Sequence, residues 1–376
     1  MKTLLLSTFL LTISASFAQQ TINGSIMHDG IQRDYVLYVP ASYSSGTPAP
    51  LVLNFHGYTS NASQQMFYGN FRPIADTAGF LLVHPMGTLD ASNEPYWNSG
   101  WGGTVDDVGF TEALIDSLAA NYSVNLDRVY STGMSNGGFM SYTLACELSH
   151  RIAAIASVTG SMNINQNLSC NPQHPMPVME IHGTGDQIVP YLGSTGVESI
   201  ANVLDYWVNV NVCDVTPVET AVPDINIIDG CTATHFIYSN GNNGVDVEHY
   251  RINGGGHTWP GTPITFGVTN RDIDASEKIW IFFSQYDING RIVADLSEEP
   301  AFNIQLYPNP AQNTVTISGL DEFPVDQMVI TSIDGHVAKI IMHPTEEINI
   351  EDLESGVYFV GFKFGVHERI IRLVKK

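Results

Sequence analysis

Basic residues are scarce in this chain: 15 Lys and Arg stand against 38 Asp and Glu, for a formal net charge of −23. That balance excludes nucleic acid or an anionic membrane as the main partner, because Lys and Arg supply most of the attraction to both. Cysteine is sparse too, with Cys146, Cys170, Cys213 and Cys231 widely spaced and no C-x-x-C. Such spacing argues against a metal site. Beyond the N-terminal leader no apolar run reaches the roughly 20 residues that cross a bilayer, so no stable membrane span is expected. Phosphate-loop and dinucleotide motifs are missing as well, and no cofactor is expected.

What is present begins with a leader. Lys2, the apolar run from Leu4 to Phe17 and the small-x-small site Ser16-Phe17-Ala18 read as a signal peptide over residues 1–18. Export makes disulfides possible. Four cysteines allow three pairings, and Cys146–Cys170 with Cys213–Cys231, each closing a moderate loop, is the expected one.

The 376 residues, 44% of them hydrophobic, suffice for one large domain and one small one. Residues 19–292 alternate apolar runs with amphipathic stretches. Strands are predicted at Asp34–Val39, Pro50–Phe55, Phe80–His84, Val129–Thr132, Ile152–Val158, Val178–His182 and Val247–Ile252. A helix is predicted at Asp107–Asn121, where Phe110, Leu114 and Leu118 recur at one-turn spacing. Near-continuously apolar strands alternating with helices imply an α/β fold with a mostly parallel sheet covered on both faces. Residues 293–302 read as an acidic linker containing Pro300. Residues 303–376 carry short β-like segments between turns such as Pro308-Asn309-Pro310 and Ser355-Gly356, predicting a small all-β sandwich.

The chemistry concentrates in three loops. Gly133-Met134-Ser135-Asn136-Gly137 follows an apolar strand and precedes a helical stretch. That context makes G-x-S-x-G a nucleophile elbow, the device of α/β-hydrolases. A serine hydroxyl needs a base, and the base an orienting acid, in the chain order Ser, Asp, His. Asp186 follows the strand Val178–His182 in a Gly-rich turn, and His257 follows Val247–Ile252 between glycines and Trp259-Pro260-Gly261. Ser135, Asp186 and His257 are therefore the candidate triad. An oxyanion hole needs two backbone N–H donors, and Asn136 and Tyr58 are the candidates. His56, beside Gly57, reads as a loop former, and Asp106 or Asp107 as the cap of the next helix. Trp97, Trp101 and Trp259 lie on loops expected at the catalytic edge and are substrate-binding candidates.

Taken together, His56-Gly57, the W…D-D-V-G-F block, G-M-S-N-G-G, H-G-T-x-D-x-x-V-P and G-G-H-T-W-P-G resemble the secreted esterases grouped with polyhydroxybutyrate depolymerases and feruloyl or acetylxylan esterases. The resemblance runs from about Thr21 to Ile292. It implies Ser135 as nucleophile, Asp186 as acid, His257 as base and a disulfide from Cys213 to Cys231. Many relatives carry Cys after the H-G pair, where this chain has Tyr58, so no single substrate transfers. The tail, with Tyr307-Pro308-Asn309-Pro310, Gly356-Val357-Tyr358 and the Lys375-Lys376 end, is similar to the C-terminal sorting domain of the type IX secretion system of Bacteroidetes. It implies secreted or cell-surface localisation and the secretion machinery as a partner.

The resulting expectation is a secreted serine carboxylesterase acting through an acyl-enzyme on feruloyl or acetyl esters of plant polysaccharide. A polyester depolymerase is the alternative. A peptidase is a third reading from the same fold, and a size-filtered oligopeptidase is disfavoured because no propeller or lid domain is visible. A non-catalytic surface binding protein is disfavoured because a binder has no use for an ordered triad.

Overall fold

A computed structural model describes residues 19–264, 267–292, 304–320, 325, 327–332, 336–364 and 367–376. The leader at 1–18 and the linker at 293–302 lie outside the described residues. The chain divides into two compact units that part after Ile292.

In the first unit, β1 (Gln20–His28), β2 (Ile31–Val39), β3 (Ala49–Phe55) and β4 (Leu81–Pro85) enclose α1 (Ala62–Tyr68) and α2 (Arg72–Ala78). A short hairpin, β5 (Thr88–Leu89) and β6 (Pro95–Tyr96), leads to α3 (Asp107–Asn121), β7 (Val124–Met134) and α4 (Asn136–Glu147). Then come β8 (Ala154–Val158), α5 (Ile164–Ser169), β9 (Val178–Gly183), α6 (Ile200–Asn211), β10 (Val218–Ala221), β11 (Thr232–Tyr238), β12 (Val247–Asn253) and α7 (Ala275–Phe283). The unit closes on a hairpin of β13 (Tyr286–Asp287) and β14 (Gly290–Arg291).

Ten strands form one sheet in the order β1-β2-β4-β3-β7-β8-β9-β12-β11-β10. The six from β4 to β12 run parallel. The outer pairings are antiparallel. Parallel strands are buried on both faces, and β3, β4, β8 and β9 are buried at every position. Alternate residues feed the two faces. Leu51, Leu53 and Phe55 join a core closed by α3, α4 and α6. Val52 joins Phe71 with Ile279 and Phe282 of α7 on the other side. Asp106 caps α3, accepting from the Gly109 N–H at 2.8 Å. Its neighbour Asp107 is buried instead, paired with Arg33 at 2.5 Å.

The expected Cys146–Cys170 disulfide is present and ties the end of α4 to the end of α5. The expected Cys213–Cys231 bond is not. Both thiols are free and buried, and they belong to the cores on opposite faces of the sheet. Cys231 precedes the first residue of β11, whereas Asp214, next to Cys213, bonds Ser239 beyond its last. At about 3.3 Å per residue that separates them by more than 20 Å, and a disulfide requires Cα atoms within about 7 Å.

The second unit is all-β. β15 (Gln305–Tyr307), β16 (Thr314–Ser318) and β19 (Glu347–Asn349) form one antiparallel sheet. β17 (Gln327–Ser332), β18 (Val337–Met342), β20 (Gly356–Phe364) and β21 (His367–Lys375) form another, in the order β18-β17-β20-β21. Ile317, Ile348, Met328, Val360 and Leu373 share its apolar core, giving a small sandwich.

Candidate active site

The parallel strands all point their C-terminal ends at one edge of the sheet, where open α/β sheets place ligand crevices. Gly57-Tyr58 follows β3, Ser135 follows β7, Asp186 follows β9 and His257 follows β12.

Ser135 sits between strand and helix at φ 55°, ψ −120°. A serine rarely adopts such a backbone, and it is held there because β7 must turn sharply into α4. The turn is tight enough that a methyl group on Gly133 would stand 2.6 Å from the Phe55 carbonyl oxygen and from Gly137. Gly138 and Phe139 at the start of α4 donate their N–H groups to the Ser135 carbonyl at 2.8 and 3.0 Å. The positive end of the helix thus lies directly behind the serine.

Asp186 is buried, and its two oxygens have separate duties. Oδ1 accepts from the backbone N–H groups of Ile188 and Val189 at 2.8 and 2.9 Å. Oδ2 lies 2.7 Å from His257 Nδ1. Burial alone would raise the carboxyl pKa, but hydrogen bonds from His182 and His257 outweigh it and hold the group well below the usual carboxylate range. A carboxylate so held fixes the Nδ1–H tautomer of the imidazole and leaves Nε2 free to accept a proton.

Ser135 and His257 line one cleft of about 690 Å³, together with Gly57, Tyr58, Gln64, Phe67, Tyr68 and Ile264. Gly57 lies close over the serine, since a methyl there would be 3.4 Å from Ser135 Cβ. Tyr58 is 47% exposed, and its hydroxyl donates to Asp90 at 2.8 Å. Tyr58 lines the cleft from the loop after β3, and Asn136 directly follows Ser135 as the first residue of α4. The Asn136 side chain is engaged elsewhere: its Oδ1 accepts from Trp97 N–H at 2.7 Å and its amide donates to the Trp97 carbonyl and to Ser99 Oγ. His56 is buried, bonded to the Gly57 carbonyl at 2.7 Å and accepting from Gly87 N–H at 3.0 Å. Burial lowers its pKa to about 4. It braces the loop as a neutral ring.

The three tryptophans separate. Trp97 is fully buried, edge-on to Phe55 with its indole N–H on the His56 carbonyl at 2.9 Å. Trp259 is 1% exposed, packed on Phe71 and bonded to Ser276. Both are buried, and neither lines the cleft that holds Ser135 and His257. Trp101 is 52% exposed and leans on Phe139 of α4. The cleft residues Gln64, Phe67 and Tyr68 on α1, and Ile264, were not legible as site residues. Nothing in their local pattern separates them from an ordinary half-buried helix and loop.

Among the described residues one group could suggest a cation, His28, Asp29 and Asp106, but it is largely exposed and remote in sequence from the cleft lining. No described helix is long and apolar enough to cross a membrane.

Residues 103–219 match the phospholipase/carboxylesterase family model, and residues 305–376 match that of the secretion system C-terminal sorting domain. The chain is 27% identical over 275 residues to a bifunctional acetylxylan esterase/xylanase of Neocallimastix patriciarum, covering 73% of this chain and 36% of that one. It is 29% identical over 239 residues to feruloyl esterase B of Piromyces equi, covering 60% of this chain and 42% of that one. The similarity thus spans less than half the length of each of these relatives. An acetyl xylan esterase structure from Aspergillus awamori superposes with a TM-score of 0.50 at 14% identity, over 71% of this chain and 99% of that one. The first unit thus shares the fold of that esterase structure, and the chain is similar to carboxylesterases over residues 103–219 and to secretion-system C-terminal sorting domains over residues 305–376.

Proposed function

We propose that this chain is an exported serine esterase that releases feruloyl or acetyl groups from plant polysaccharide. The observation that carries the reading is the 2.7 Å bond from His257 Nδ1 to Asp186, with His257 and Ser135 lining the same cleft. His257 takes the Ser135 proton as the hydroxyl attacks the ester carbonyl. The oxyanion forms against the N–H groups of Asn136 and Tyr58, with the α4 N-terminus behind them. The alcohol leaves with the proton from His257, and water activated by the same ring then releases the acid.

The substrate class rests on the relatives and on the site. Two named relatives are esterases of xylan or ferulate. The cleft presents Phe67, Tyr58 and Tyr68 to an acyl group while remaining open to solvent for a polymer to approach. The sorting domain supports passage of the enzyme out of the cell, where such polymers are met. Assaying the mature chain on methyl ferulate, acetylated xylan and polyhydroxybutyrate side by side tests the reading. Turnover of the first or second is expected, and activity confined to the polyester would contradict it.

A further inference from the structure

Behind the triad lies a buried acid and base that ester hydrolysis as outlined above does not use. Glu180 and His182 sit two residues apart on β9, so both point to the face covered by α4. Both are fully buried. Glu180 Oε2 accepts from the Tyr142 hydroxyl at 2.7 Å, and Oε1 lies 2.9 Å from His182 Nδ1. On its other side, His182 Nε2 is 2.8 Å from the Val189 carbonyl and 3.4 Å from Asp186 Oδ2. That is the same oxygen that holds His257.

We propose that Glu180 and His182 form a buried ion pair that positions Asp186 and keeps it ionised; this rests on reading Ser135, Asp186 and His257 as the triad. The proton count follows from the acceptors. The Val189 carbonyl can only accept, so Nε2 carries a hydrogen. Nδ1 faces a carboxylate whose other oxygen is already taken by Tyr142. One proton is shared between Glu180 and His182, and it rests on the ring, which then donates on both sides. Burial lowers the His182 pKa, but bonds to Asp186 and Glu180 and the Glu180 charge overcome this and lift it to about 9. Burial leaves the Glu180 pKa raised above the ordinary glutamate value, although its bonds to His182 and Tyr142 oppose the shift.

The other groups around the pair bring no competing charge into contact with it. Ser157 of β8 is neutral. His249 of β12 donates Nδ1–H to the Glu180 carbonyl and accepts the Tyr191 hydroxyl at Nε2, so it is an uncharged ring, with its pKa lowered to about 3 by burial. Arg251 is exposed enough to be solvated and pairs with Glu219. The network therefore carries Glu180⁻, His182⁺ and Asp186⁻, a net charge of minus one like a single carboxylate. The cation is the nearer of the first two to Asp186. It opposes protonation of the pair that Asp186 shares with His257, and its bond to Val189 locks the loop that presents Asp186.

Glu180→Gln and His182→Gln, each in the full mature chain, remove the ion pair with little change of shape. With p-nitrophenyl acetate as probe, kcat should fall about tenfold while KM stays within about twofold. The acid limb of the kcat/KM profile should move up by about one pH unit. A merely structural role would lower activity without moving the limb, and an unmoved limb in a folded variant would overturn the proposal. Should both variants fail to fold, nitrogen-15 NMR of the unsubstituted protein decides: both ring nitrogens of His182 should be protonated at pH 7.5, and a neutral tautomer would overturn the proposal. Ser135→Ala is measured alongside. If it kept its activity the triad reading itself would fall, whereas loss of activity there with an unmoved limb in Glu180→Gln overturns the ion pair alone.

Discussion

Asp186 Oδ2 stands 2.7 Å from His257 Nδ1, and 70 residues of intervening chain bring them together only because β9 and β12 are parallel neighbours. The strands pair Gly183 with Ile252, so the loops that follow leave the sheet side by side. Asp186→Asn keeps that geometry but presents an amide, favouring the wrong imidazole tautomer. Activity on a soluble ester should drop by roughly 10³–10⁴ while the folded structure persists. Steady-state kinetics checks this, and a loss of less than tenfold would be inconsistent with Asp186 as the acid.

The buried His182 also makes stability depend on pH. Its folded pKa, about 9, lies above the ordinary histidine value. The stabilisation is therefore fully present below about pH 6.5 and disappears as pH rises through about 9. The thermal midpoint of the chain should fall between pH 6.5 and 9.5, and His182→Gln should flatten that fall. An equal fall in both proteins would assign it to other groups.

The tryptophans should part company on mutation. Trp97→Ala removes a fully buried ring and should cost on the order of 3–5 kcal/mol of stability. Trp101→Ala should leave stability within about 0.5 kcal/mol. If Trp101 meets a polymer, its variant should raise KM on acetylated xylan and not on p-nitrophenyl acetate. Calorimetry and paired kinetics distinguish these outcomes.

Peptide mapping without reduction should recover Cys146 linked to Cys170, with Cys213 and Cys231 alkylated only after unfolding, since both thiols are buried. A Cys213–Cys231 peptide would contradict the strand geometry that keeps them apart.

Much of the candidate site's arrangement is legible in the sequence. The glycines around Ser135 and His257 mark sharp turns, and apolar runs ahead of Ser135, Asp186 and His257 mark the strands that carry them. β1 and β10 escaped because edge strands with exposed faces lack the apolar runs that reveal buried ones. Loop position misled for Trp97 and Trp259: a large ring in a loop can turn inward and fill the space beneath it. The Cys213–Cys231 pairing failed because sequence separation does not report which face of a sheet a residue occupies. Glu180 and His182 were legible in principle, since their i, i+2 spacing places two polar groups on one buried face of an otherwise apolar strand.

The central claim is that Ser135 is the nucleophile, and covalent labelling tests it most directly. Treating the mature chain with a fluorophosphonate and mapping the modified peptide by mass spectrometry should place one adduct on Ser135, with esterase activity lost in step with labelling. Activity that survives complete modification of Ser135, or an adduct on another serine that accounts for the loss, would contradict it.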